Sequence, residues 1–85
     1  MKKQSDMKVV ARSPFHIYYE GPALMVSARN EVGPFDILPG HADLFSIMSA
    51  GEVSIQTNES DAISFNIDSG IISVKQGSAI LFINI

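Results

Sequence analysis

The stretch "GEVSIQT" at residues 51–57 decides how this chain is read. Val53 and Ile55 alternate with Glu52, Ser54 and Gln56, a period of two that puts apolar side chains on one face of an extended strand and polar ones on the other. The same pattern recurs in both directions. Downstream, Ile63, Phe65 and Ile67 face inward while Ser64 and Asn66 face outward. Upstream, in "FHIYYE" at 15–20, Phe15, Ile17 and Tyr19 alternate with His16, Tyr18 and Glu20, and weaker versions run over 7–11 and 23–28. β-branched residues are frequent throughout, as pleated half-buried strands favour.

Turn residues separate these segments at intervals of about eight to twelve residues: Ser13-Pro14, Gly21-Pro22, Gly33-Pro34, Pro39-Gly40, Ala50-Gly51, 58–61, Ser69-Gly70 and 76–78. Gly33, Gly40, Gly51, Gly70 and Gly77 stand at expected strand ends, where a positive φ is commonly required. Nothing has helical period beyond one turn, for which 40–44 is the best candidate. The expected fold is all-β, a two-layer antiparallel β-sandwich of about ten short strands. Residues 1–6 are expected to be disordered and 7–85 to form a single domain.

A chain of 85 residues with 46% hydrophobic and 18% charged residues is apolar enough to fold around one small core. Its net charge is −3, and apart from Lys2-Lys3 the basic residues are scattered, which argues against nucleic acid. No cysteine is present, so disulfides, thiolate zinc sites and cysteine nucleophiles are excluded, and a reducing compartment such as the cytoplasm fits. No apolar run is long enough for a signal peptide or a membrane-spanning helix, so any membrane role must come through a partner.

The chemistry on offer is thin. "FDILPGHADLF" at 35–45 sets His41 behind a Pro-Gly turn between Asp36 and Asp43, but one histidine and two aspartates at this spacing match no recurring metal pattern. His16, the other histidine, points away from the core of its strand. The plainer reading is that Asp43 caps the turn or is solvated, and that the His41 ring bonds to local backbone. Serines are numerous, yet no Gly-x-Ser-x-Gly elbow or similar nucleophile context occurs. The glycines are not grouped as a phosphate loop, and for stacking on sugars only Tyr18 or Tyr19 is available. These residues imply no catalytic site, no cofactor and no metal. The last segment, 78–85, is apolar on both faces, with Ile80 and Phe82 on one side and Leu81, Ile83 and Ile85 on the other. Such a strand is either covered on both faces within the fold or keeps one face for another chain.

Taken together, "ILPGHADL" at 37–44 resembles the ILPGHAPL segment in the N-terminal β-sandwich domain of the F-type ATP synthase epsilon subunit, called delta in mitochondria. The resemblance extends to "VVARSPFHIYYEGPALMV", to "SAGEVSIQT" with Ala50 where the family has proline, and to "NIDSGIISVKQGSAILF", covering roughly residues 8–83 in order. It implies a non-catalytic rotor-stalk subunit in proton-driven ATP synthesis, docked on the gamma subunit and on the c-ring. Such a subunit is cytoplasmic and peripheral to the inner face of the membrane. Carried over by position, Gly33, Pro34, Phe35, Asp36 and His41 would face the c-ring at one end of the sandwich. Leu44, Met48, Leu81 and Ile83 would face gamma or a second copy. The departures are Pro34-Phe35-Asp36 before the ILPGH run and Asp43 in place of the family's proline. The sequence ends at Ile85, before the family's regulatory pair of C-terminal helices, so no helical hairpin is expected. The alternative is a stand-alone β-sandwich that binds partners or ligands and forms a homodimer through its last strand.

Overall fold

In the computed structural model, which describes residues 6–58 and 60–85, the alternating segments form nine strands. They are β1 (Met7–Ser13), β2 (His16–Ala23), β3 (Met25–Arg29), β4 (Pro34–Ile37), β5 (Leu44–Met48), β6 (Gly51–Gln56), β7 (Ala62–Ile67), β8 (Ser69–Lys75) and β9 (Ser78–Asn84). A five-stranded sheet in the order β2-β1-β9-β8-β5 faces a four-stranded sheet in the order β4-β3-β6-β7. The expectation for residues 1–6 falls outside the described residues except at Asp6.

The two sheets bury one apolar cluster, whose largest fully enclosed side chains are Ile37, Met48, Ile55, Ile72 and Leu81. Val53 and Ile55 are within it, as the opening alternation requires, and Ile67 closes the inward row of β7. Where the chain crosses between sheets its amides remain paired: Leu24 N–H donates to Gln56 O (2.8 Å), Ser49 N–H to Arg29 O (2.8 Å) and Asp68 N–H to Asn84 O (2.7 Å).

The sandwich is as expected in class, with nine described strands in place of about ten. Its pairing is not wholly antiparallel, because β1 and β9 run parallel, from Lys8 opposite Ser78 to Arg12 opposite Phe82. The β1–β2 and β8–β9 hairpins meet side by side in the sheet, and their inner strands happen to run the same way. The inward row expected for "FHIYYE" is also displaced. A register shift between Ala11 and Arg12 pairs Tyr19 with Ala11 but Ile17 with Arg12, leaving Tyr18 as an extra residue. Phe15 then stands at the hairpin tip, 99% exposed, while both Tyr18 and Tyr19 pack partly against the core.

Three turn expectations change as well. Residues 40–44 form no helical turn; Pro39-Gly40 occupies the centre of a β-turn in which His41 N–H donates to Leu38 O (3.0 Å), with Gly40 at φ 84°. Gly21-Pro22 lies inside β2, an edge strand, where a missing amide does no harm. Gly70 is not among the positive-φ residues; it is small because a Cβ there would meet Phe82 O at 2.7 Å and Met48 Cε at 2.8 Å.

Candidate interaction surface

Pairing register decides which rows of the five-stranded sheet are exposed. One row runs Ile47, Ile71, Phe82, Arg12 and Ile17 across β5, β8, β9, β1 and β2. The next runs Phe45, Ser73, Ile80, Val10 and Glu20. Since side chains alternate, both rows lie on the outer face, and their large apolar members are exposed: Phe45 68%, Ile47 69% and Phe82 49%, with Ile71 and Ile80 somewhat less. Neighbouring strands are about 4.8 Å apart, so these side chains make one continuous apolar patch, the kind of surface that marks contact sites when it is large. Charge is confined to its margin. Lys8 and Glu20 pair at 3.9 Å, and the Arg12 guanidinium donates to the carbonyls of Ser13 (3.2 Å) and Pro14 (3.3 Å).

Of the residues assigned to a gamma or self-association surface, Met48, Leu81 and Ile83 are core residues at 1%, 0% and 3% exposure, and Leu44 is half-buried against the core. These side chains lie inside the fold, and the exposed apolar side chains are the alternate row of the same strands. Sequence alone shows two apolar rows in β9 and two in β5, but not which row the second sheet covers.

The second predicted group is divided by the fold. Gly33 ends the β3–β4 hairpin, where its backbone exchanges hydrogen bonds with Asn30 (3.0 and 3.1 Å) and the Asn30 carboxamide caps Val32 N–H (2.9 Å). Pro34 starts β4 exposed, Phe35 packs half-buried on the core, and Asp36 accepts from Ser27 Oγ (2.8 Å). β4 then carries the chain to the other end of the sandwich, where exposed His41 sits with its Nδ1 2.7 Å from Ala42 O. Gly33 and His41 therefore occupy opposite ends, because 33–41 is not one loop but a hairpin end, a strand and a turn. Asp43 reaches across to accept from Gln76 N–H (3.1 Å), capping the β8–β9 turn in place of its own. Asp36, His41 and Asp43 thus diverge, and among the described residues no three His, Cys, Asp or Glu side chains gather.

Between the β3–β4 hairpin and β5 runs an open groove of about 470 Å³, lined by Asn30, Val32, Phe45 and Ile47 among others. With Phe15 and Val32 both almost fully exposed at hairpin tips, the molecule offers shape and apolar anchors for contact.

Comparison with known proteins identifies the family and the fold. The chain matches, over residues 6–84, the family described as ATP synthase, Delta/Epsilon chain, beta-sandwich domain. It is 38% identical over 77 residues to the ATP synthase epsilon chain of Frankia casuarinae, covering 88% of this chain and 89% of the relative. Against the epsilon chain of Sulfurimonas denitrificans identity is 28% over 79 residues, covering 93% of this chain but only 61% of the relative. Its fold superposes with a TM-score of 0.86 and 13% identity on a chain of the Euglena gracilis mitochondrial ATP synthase, covering 98% of this chain and 53% of that one. For the central stalk and c-ring structure of the Tetrahymena thermophila enzyme the TM-score is 0.81 and identity 19%, covering 100% and 67%.

Proposed function

This chain belongs to the β-sandwich domain family of the ATP synthase delta/epsilon chains, and on that footing we propose that it is the non-catalytic epsilon-type subunit of an F-type rotor stalk, joining gamma to the c-ring. The observation that carries the reading is the apolar outer face of the five-stranded sheet, Phe45, Ile47, Ile71, Ile80 and Phe82, which a connector needs and an enzyme of this size does not. Gamma takes this face. Full burial of each such side chain contributes about 1.5–3 kcal/mol, so a few anchors suffice against the cost of association.

The c-ring contact belongs to the end that carries 30–33, not to both predicted ends. The hairpin there is tied by Asn30, stands clear of the core, and offers Glu31 and Val32 to polar loops. Gly33 and Pro34 support it; His41 is at the far end and takes no part. In this position the subunit lies at the cytoplasmic side of the membrane and touches it only through the ring. Among the described residues no helix is long and apolar enough to cross a membrane.

Co-expression with gamma and the c-ring of the same organism tests the proposal. The chain should co-purify with gamma at micromolar concentration, and Phe82→Lys should abolish this while leaving the circular dichroism of the sandwich unchanged. Absence of co-purification with the wild-type sandwich folded would overturn it.

A further inference from the structure

Beyond docking on a rotor, the structure bears on what an unassembled chain does with its open sheet edges. Four strands lie at edges: β2 and β5 in one sheet, β4 and β7 in the other. An unpaired edge is a template for another strand, and folds blunt it with proline, charge or a bulge. β2 has Pro22, Glu20 and the register shift opposite Ala11 and Arg12. β4 has Pro34 and Asp36. β7 carries no charge itself, but two copies paired about its centre would set Asp61 opposite Asp68 at each end, and like charges directly opposite are destabilising. β5, "LFSIM", has no proline, charge or register shift, and beside it stands only the β3–β4 hairpin end, whose Asn30 carboxamide reaches Ser46 Oγ at 3.4 Å.

We propose that β5 is a self-pairing edge, at which two copies of this chain join antiparallel about a two-fold axis through Ser46. A two-fold contact must be self-complementary, and β5 is symmetric about Ser46. Pairing there sets Phe45 opposite Ile47 of the second copy on the outer face and Leu44 opposite Met48 on the inner. Asp43 falls opposite Ser49, so no like charges meet across the ladder. An open groove runs beside β5, walled on its far side by Val32 and Asn30, and the incoming strand would enter there. The result is one continuous sheet with the outer rows of both copies in line.

This replaces the last strand as the dimer contact. β9 is the middle strand of its sheet, hydrogen-bonded on both sides to β1 and β8, and has no edge to offer. Pairing lies in the plane of the sheet, so it leaves the outer face of each copy open and holds unassembled copies in a defined state. Five residue pairs bury less than a standard interface, so the dissociation constant is expected on the order of 10 μM.

Analytical ultracentrifugation between about 1 and 200 μM, combined with amide hydrogen exchange at both extremes, tests the pairing. The expected result is a reversible monomer–dimer equilibrium with concentration-dependent protection confined to β5. Ile47→Lys should shift the midpoint upward by at least tenfold, and Phe82→Lys, on the same face but two strands from the edge, should leave it within about twofold. A chain monomeric throughout the range, or a dimer that Phe82→Lys dissolves while β5 exchange is unchanged, would overturn it. Neither result bears on gamma docking, for which Phe82→Lys is the disruptive variant.

Discussion

Leu81 and Phe82 are adjacent, apolar and both β-sheet residues, yet one is wholly enclosed and the other half exposed. Leu81→Ala is expected to lower unfolding free energy by roughly 2–5 kcal/mol, the cost of a core cavity. Phe82→Ala should change it by less than about 1 kcal/mol while weakening partner capture, and urea titration of the two variants side by side makes the comparison. Gly70→Ala should cost about 1–3 kcal/mol, because the added methyl meets the carbonyl oxygen of Phe82, which as paired backbone cannot move aside. At the β8–β9 turn, Gln76 at φ 48° and Gly77 at φ 84° adopt the two successive left-handed conformations of a type I′ hairpin. Gln76→Asn suits that backbone better and should raise stability by about 0.5–1 kcal/mol, read as a higher melting temperature.

Strands behave according to their neighbours in the sheet. β6 was readable from its alternation alone, since "GEVSIQ" has one apolar row and one polar row and only one way to be half-buried. β5 and β9 each have two apolar rows, so their facing is set by which row the opposite sheet covers. β2 misled for another reason: one extra residue at Tyr18 moves each residue before it, Phe15 and Ile17 included, to a place alternation does not assign. Asp43 shows coupling between elements that are distant in sequence. Its carboxylate caps the amide of Gln76, 33 residues away, so Asp43→Ala should cost about 0.5–2 kcal/mol, with Asp43→Asn keeping most of it. Loss of that cap should also raise hydrogen exchange at the β8–β9 turn and leave the β3–β4 hairpin unchanged.

Across the whole molecule, the two sheets divide the labour. Their inner faces hold the fold, while the outer face of the five-stranded sheet and the hairpin ends stay exposed. Charge reversal at Glu31 should therefore weaken attachment to the c-ring and spare gamma, as Phe82→Lys should do the opposite, and pull-downs against the separate partners distinguish the two. The all-β class, the turn positions at Pro39-Gly40 and 76–78 and the family likeness around "ILPGHADL" are local properties, set by period, backbone freedom and short motifs, and the sequence by itself determined them. Which apolar row of β5 and β9 lies inside, the parallel seam between β1 and β9, and the separation of Gly33 from His41 were decided only by tertiary structure. The physical reason is that a strand's two faces are locally equivalent when both are apolar: only the second sheet, by covering one of them, makes them different.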